Sequence, residues 1–188
     1  MKLPRALIGL VILCSVASAA SRTSVYRNKE YGIFLPIPSG AWFCSIPREG
    51  IDHGAAFLLG TKDESLCTKS SGKRVASIFA GYVTEDSKTL HSFLNSQCAY
   101  EGKGACGQAP AGLRIHGVST EAARVDQPNG LTTIIVVAQA RNSGLDSDAS
   151  VSSMNYEFSL DTDAVHLDED LVVFRAILNS VRIASHRR

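Results

Sequence analysis

Residues 154–183 read MNYEFSLDTDAVHLDEDLVVFRAILNSVRI, and this stretch decides the fold class. In residues 154–160 apolar and polar side chains alternate, which is typical of a β-strand with one buried face. The apolar residues that follow recur at spacings of four and three, as on one face of a helix: Leu167, Leu171, Phe174, Leu178 and Val181. Acidic residues 168–170 fall in the first turn of that helix, where the helix dipole favours negative charge. The sequence therefore predicts a half-buried strand followed by an amphipathic helix that must pack against another layer.

Upstream of this pair, further segments are predicted to be extended because they are rich in β-branched and aromatic residues or contain prolines that exclude a helix. These segments are 25–28, 32–38, 41–44, 55–59, 74–83, 113–118, 122–125 and 131–140. A turn at Pro128-Asn129-Gly130 joins the last two as a hairpin.

A second helix is predicted where the hydrophobic period changes. Leu90, Phe93, Leu94 and Cys98 lie on one helical face, with Asp86 or Ser87 as the N-cap, and residues 100–112 are predicted to be a loop. Helices packed on a largely antiparallel sheet are the economical way to bury these faces. The predicted fold class is α+β, with a largely antiparallel sheet packed by two amphipathic helices.

The first twenty residues have the pattern of a secretory signal peptide. Lys2 and Arg5 precede an apolar stretch at 6–16, and small residues at 16–21 allow cleavage after Ala19 or Ala20. The apolar stretch is shorter than the roughly 20 residues that a bilayer-spanning helix needs. We therefore expect residues 1–20 to be removed and residues 21–188 to form a single exported domain. That domain would be periplasmic or secreted, with no stable membrane insertion after cleavage.

Four cysteines remain after the predicted cleavage: Cys44, Cys67, Cys98 and Cys106. An even number in an exported chain indicates disulfides. Of the three possible pairings, Cys44–Cys67 with Cys98–Cys106 is favoured because short loops close at the lowest entropic cost. The chain has no C-x-x-C motif and no histidine at zinc-finger spacing from a cysteine.

Charge gives no indication of a polyanionic partner. The whole chain carries 19 basic and 18 acidic residues, and loss of Lys2 and Arg5 leaves 17 basic residues against the same 18 acidic ones. A nearly neutral chain without a basic stripe has no electrostatic basis for binding nucleic acid.

No catalytic, metal-binding or cofactor-binding motif is recognisable, so no catalytic residue, metal ligand or cofactor is predicted. The lipase-type G-x-S-x-G, the phosphate-binding P-loop and the H-E-x-x-H pattern do not occur. One candidate surface site remains. His53 follows Asp52 in a turn, where a carboxylate can orient an imidazole, and Trp42 could contribute to an aromatic binding surface.

Three stretches together resemble the Mog1/PsbP-like superfamily, which includes small exported bacterial proteins of the DcrB kind. They are the opening 26–42 with its Gly32, Pro36, Pro38, Gly40 and Trp42, the strand 156–162, and the closing helix 174–183. This resemblance implies an antiparallel sheet with helices packed on it. It also implies non-enzymatic binding or assembly roles, with partners that differ widely among members.

We therefore expect a non-enzymatic exported protein that acts through a protein partner, for example as an immunity protein or inhibitor, or as an envelope assembly factor. Two alternatives stay open. One is a small-ligand binding module with a pocket between the sheet and a helix. The other is a hydrolase centred on His53, which requires that residue to lie in a cleft beside a second polar group.

Overall fold

The computed structural model describes residues 24–44, 53–67, 74–102, 106–141 and 153–184. They form ten strands: β1 Val25–Asn28, β2 Ile33–Pro36, β3 Ala41–Phe43, β4 Gly54–Leu59, β5 Val75–Tyr82, β6 Gly107–Gln108, β7 Ser119–Asp126, β8 Leu131–Arg141, β9 Ser153–Asp163 and β10 Arg182–Ile183. The two α-helices are α1 Leu90–Gly102 and α2 Leu167–Ser180, and short 3-10 turns lie at Glu64–Leu66 and Glu85–Ser87. The predicted signal peptide, 1–20, lies outside the described residues.

Seven strands form one antiparallel sheet in the order β3-β4-β5-β9-β8-β7-β6. The central strand is β9, which pairs along its length with β5 on one side and β8 on the other. A second, three-stranded sheet has the order β1-β2-β10, so that the first and last strands of the described chain both pair with β2. The predicted α+β class is confirmed, and β3 forms one edge of the large sheet.

Each face of the large sheet is covered by a different helix. On one face, the main core joins α2, through Phe174 and Leu178, to Val136 and Phe158 of the sheet and to the small sheet. On the opposite face, Phe93, Leu94 and Cys98 of α1 pack against Ile135 and Val137 of β8 and against β7. The apolar stripes read from the sequence are therefore the packing faces of both helices. Neither helix in the described residues is long and apolar enough to cross a bilayer.

Three local predictions were wrong. Residues 113–118 form no strand. Leu113 and Ile115 are buried in the core, but the chain turns at His116-Gly117, where Gly117 has φ 82°, before β7 begins. The edge of β7 pairs instead with β6, which lies in the region 100–112 that was predicted to be a loop. Helix α1 also extends into that region, as far as Gly102.

The N-cap of α1 also differs from the prediction. Asp86 and Ser87 belong to the separate 3-10 turn, and the α1 cap is Thr89. The Thr89 hydroxyl accepts from the Ser92 amide at 3.0 Å, and its carbonyl accepts from the Phe93 amide. A threonine one residue before the apolar stripe serves this role because its oxygen reaches the first free amides of the helix.

Both predicted disulfide pairings agree with the structure. The Sγ atoms of Cys44 and Cys67 lie 2.07 Å apart, and those of Cys98 and Cys106 lie 2.08 Å apart. The first bond joins the end of β3 to the segment after β4, within a small buried cluster that includes Leu58. The second joins α1 to the residue that precedes β6. Each bond closes a short loop over the same face of the large sheet.

Candidate functional site: a groove along the edge strand β3

A groove of about 730 Å³ runs beside β3 and is neither enclosed nor flat; we call it the edge groove. Its walls come from three separate parts of the chain. They are Ser24, the stretch from Ile37 to Phe43, and the end of β4 with the segment after it. The lining residues are Ser24, Ile37, Pro38, Ser39, Ala41, Trp42, Phe43, Leu58, Lys62 and Glu64. The predicted site residue Trp42 is therefore part of a concave surface.

The backbone of β3 is paired on one side only in the described part of the chain. β3 pairs with β4 through Trp42–Leu58 and Phe43–Phe57, and no described strand pairs with its other side. The Cys44 amide donates to the Ala56 carbonyl at 2.9 Å, which fixes the alternation of the ladder. Hydrogen-bonded and non-hydrogen-bonded residue pairs alternate along an antiparallel ladder. Trp42, two residues before Cys44, therefore bonds to β4, whereas the N–H and C=O of Phe43 point away from β4.

An aromatic cluster supports the open side of β3. The Phe43 ring lies 5.6 Å from the Tyr26 ring and 5.9 Å from the Phe57 ring, between centroids. Phe57 is fully buried, whereas Phe43 is 42% exposed. The Tyr26 hydroxyl donates to the Gly54 carbonyl at 3.0 Å, and partial burial raises the pKa of Tyr26. The cluster thus holds a large apolar side chain at the surface, beside the outward-facing backbone groups.

The opposite wall of the groove carries charge. The Lys62 ammonium lies 5.4 Å from the centroid of the Trp42 ring, within cation–π range, and both Lys62 and Glu64 are exposed. Between them, Asp63 has an extended backbone, and its carboxylate accepts from the Ser65 amide at 3.0 Å. The segment ends at Cys67, so the Cys44–Cys67 disulfide holds this wall against the end of β3.

His53 does not belong to the edge groove. It lies five residues before Leu58, the partner of Trp42, and this corresponds to about 16 Å along the strand. The His53 side chain is exposed in a turn, where its Nδ1 is hydrogen-bonded to the hydroxyl of Tyr31 and its ring lies edge-on to Tyr31 and Phe79. Asp52 lies outside the described residues. An exposed turn gives no support to the hydrolase hypothesis, which requires a cleft.

Sequence reasoning missed Phe43, Lys62 and Glu64 as parts of the candidate site. The only local signal was the aromatic pair at 42–43, because the groove forms where segments distant in sequence meet. Within the described ranges, no three His, Cys, Asp or Glu side chains come together in a group that could hold a metal ion.

The architecture described above is the Mog1/PsbP-like α+β fold, as the resemblance predicted. The solution structure of cyanobacterial PsbP (CyanoP) from Synechocystis sp. PCC 6803 is similar, with a TM-score of 0.51 and 15% identity over 92% of this chain and 99% of that chain. The crystal structure of LpqN, involved in cell envelope biogenesis of Mycobacterium tuberculosis, gives a TM-score of 0.47 and 12% identity over 88% of this chain and 87% of that chain. No protein-family model and no curated protein matches the chain. At 15% identity, the likeness to cyanobacterial PsbP establishes the fold and not an activity.

Proposed function

We propose that this protein is an exported, non-enzymatic binding protein that takes an extended segment of a protein partner along β3. The observation that carries the proposal is Phe43, whose backbone N–H and C=O face outward while its side chain stays 42% exposed beside the edge groove. Addition of a strand to a sheet edge uses main-chain hydrogen bonds for affinity and alternate side chains for specificity.

The expected binding is weak to moderate. Each main-chain hydrogen bond contributes about 1 kcal/mol net, and burial of an apolar side chain in the groove contributes about 2 kcal/mol more. The cost of association offsets much of this gain, so we expect weak binding for an isolated segment that contacts Phe43 alone. An inhibitor of a secreted toxin and an envelope assembly factor could each use such a surface.

Export to the periplasm or beyond is part of the proposal. Its support is the signal-like segment 1–20 together with two disulfides, which persist in oxidising compartments. The Cys44–Cys67 bond also holds the charged wall of the edge groove, so an oxidising location would favour the shape of the proposed site.

A small apolar ligand is the second candidate. The volume of about 730 Å³ lies within the range of small-ligand sites. Such sites usually bury most of their ligand, whereas this groove is open along one side and borders a strand edge. The Phe43 N–H and C=O face this opening, which suits a polypeptide backbone better than a small apolar molecule.

The test begins with display selection of short peptides on the purified, disulfide-intact protein, followed by an N-methyl scan of the best binder. In the described part of β3 only Phe43 presents both outward groups, because the Ala41 amide donates to the Pro38 carbonyl. N-methylation is therefore expected to weaken binding strongly at the position paired with Phe43 and little at its two neighbours. Loss at consecutive positions, loss at none, or failure to select any binder would each overturn the proposal.

A further inference from the structure

The two charges in the wall of the edge groove point to the side-chain pattern of the partner segment. Lys62 and Glu64 both line the groove, and in the described part of the chain neither has an ion-pair partner. The residue between them, Asp63, has φ −73° and ψ 94°. Glu64 begins the 3-10 turn, so a single extended residue separates the two long charged side chains.

Alternate side chains of a β-strand lie about 7 Å apart, a separation that two long, flexible side chains such as Lys62 and Glu64 can match. A segment paired with β3 would place every second side chain on the Trp42 side of the sheet, toward Lys62 and Glu64. The intervening side chains would project to the other side, where Phe43 packs on Tyr26 and Phe57. The groove therefore presents an apolar strip on one side and one charge of each sign on the other.

We infer that the partner segment alternates apolar residues with one acidic and one basic residue placed two positions apart. The acidic side chain pairs with Lys62 and the basic one with Glu64, while the apolar residues cover Phe43. This inference rests on the proposed strand addition and specifies the chemistry of the segment. For a given direction of the added strand, a segment with the two charges in the opposite order would place like charges together, which disfavours it.

The Lys62 ammonium is suited to this role because the Trp42 ring restricts where it lies. A cation over a tryptophan face at an exposed site is stabilised by about 0.5–1 kcal/mol. Less side-chain freedom then remains to be lost when a carboxylate binds, so the cation is partly positioned before the partner arrives.

The experiment uses three synthetic peptides with valine at alternate positions. Between the valines they carry glutamate then lysine, lysine then glutamate, or serine twice. Binding is measured by isothermal titration or fluorescence anisotropy on the wild type and on the double variant Lys62→Glu/Glu64→Lys. We expect the wild type to prefer one charged peptide by about five- to tenfold at low salt, and the double variant to prefer the other. The preference should shrink in 1 M salt, where charges are screened within about 3 Å.

The matched control exchanges Glu85 and Lys88, an exposed ion pair remote from the groove, as Glu85→Lys/Lys88→Glu. This variant should keep the wild-type preference. If all three peptides bind alike and the groove exchange changes nothing, the charge pattern is wrong and strand addition stands. If even the serine peptide fails to bind the wild type, strand addition itself is wrong. Inversion of the preference by the groove exchange alone supports the inference.

Discussion

Arg74 and Asp170 form a two-pronged ion pair that joins the start of β5 to the first turn of α2, 96 residues away. The Arg74 Nη2 lies 2.6 Å from Oδ1 of Asp170, and Nε lies 3.0 Å from Oδ2. Asp170 is fully buried and also accepts from the Thr162 hydroxyl at 2.6 Å. The bond to Asp170 raises the pKa of Arg74 above its ordinary value, so the guanidinium of this pair stays charged.

Asp170→Asn is expected to destabilise the protein by about 3 kcal/mol, because it leaves a partly buried guanidinium without its main counter-charge. Glu169→Gln is the control. Glu169 also contacts Arg74 at 3.0 Å, but its side chain is 67% exposed, so its loss should cost less than about 1 kcal/mol. Urea unfolding followed by circular dichroism measures both. Equal midpoints for the two variants would show that the buried pair does not hold α2 to the sheet.

Tyr156 is expected to govern stability at alkaline pH. Burial raises the pKa of Tyr156 from its ordinary value of 10.0 to about 12, because the ionised form would be desolvated. A raised folded-state pKa means that the contribution is fully present below pH 10 and is lost as pH rises from about 10 to about 12. Tyr156→Phe should flatten the fall in stability across that window.

At neutral pH, Tyr156→Phe should also cost about 1 kcal/mol, since the hydroxyl donates to the Tyr31 carbonyl at 2.9 Å. Chemical unfolding at a series of pH values gives both quantities. Tyr100→Phe, at a residue that is 82% exposed, is the control and should leave the alkaline profile unchanged. An unaltered alkaline profile for Tyr156→Phe would contradict the prediction.

Asp163 is expected to titrate below its ordinary range in the folded protein. The hydrogen bond between its Oδ1 and Nδ1 of His166, at 2.8 Å, is the largest cause that lowers the pKa of Asp163 from 3.8. A lowered folded-state pKa stabilises the fold above pH 3.8, and this contribution disappears as pH falls through the lower value.

Carboxyl carbon chemical shifts recorded against pH measure this effect directly. His166→Ala should move the Asp163 midpoint upward toward 3.8, whereas Asp86→Asn, at a carboxylate near the opposite end of β9, should leave it where it is. A midpoint that His166→Ala does not move would mean that the imidazole has no part in the shift.

Replacement of Phe43 by proline tests the direction of the β3 backbone. Proline has no N–H, and the Phe43 N–H points away from β4, so Phe43→Pro should leave the ladder to β4 intact. Trp42→Pro removes an N–H that bonds to β4 and should destabilise the protein by about 3 kcal/mol.

Phe43→Ala is the matched control for side-chain loss, since it keeps the outward N–H. If a partner segment adds to β3, selected peptides should bind Phe43→Pro at least about tenfold more weakly than Phe43→Ala. Equal binding to the two variants would show that the backbone of residue 43 takes no part.

The two disulfides are expected to differ in their effect on binding. By loop-closure entropy each stabilises the fold by about 3 kcal/mol, over sequence separations of 23 and 8 residues. Cys44→Ser/Cys67→Ser should weaken peptide binding because it releases the wall that carries Lys62. Cys98→Ser/Cys106→Ser, at the other end of the sheet, should lower stability without changing the affinity. Equal losses of affinity would contradict the role given to the groove wall.

Local patterns in the sequence predicted most elements but not their order in the sheet. The alternation in 154–160 and the stripe from Leu167 to Val181 depend on contacts of each segment with one layer, so they can be read locally. The central place of β9 and the edge place of β3 depend on pairing between distant strands, which no local pattern records. Apolar and polar residues alternate in 113–118 as they do in a strand. This segment nevertheless forms no strand, and the edge of β7 pairs with β6.

The candidate site was predictable only in part, for the same reason. Trp42 stood out by its residue type, whereas Lys62 and Glu64 matter because a disulfide and a strand pairing bring them beside it. Asp170 did leave a signal in the sequence. It falls between Leu167 and Leu171 on the apolar face of α2, and a carboxylate in such a position requires a buried cationic partner. The identity of that partner, Arg74, could not be read from spacing.

The small sheet has a mechanical consequence. Val25 of β1 lies opposite Pro36 at one end of β2, and Ile183 of β10 lies opposite Ile33 at the other end. A force that pulled the two ends of the domain apart would load the hydrogen bonds of both strand pairs side by side, in shear, and would not unzip them one at a time. The force needed to unfold the domain by pulling on its two ends should therefore be higher than the shortness of β1 and β10 suggests.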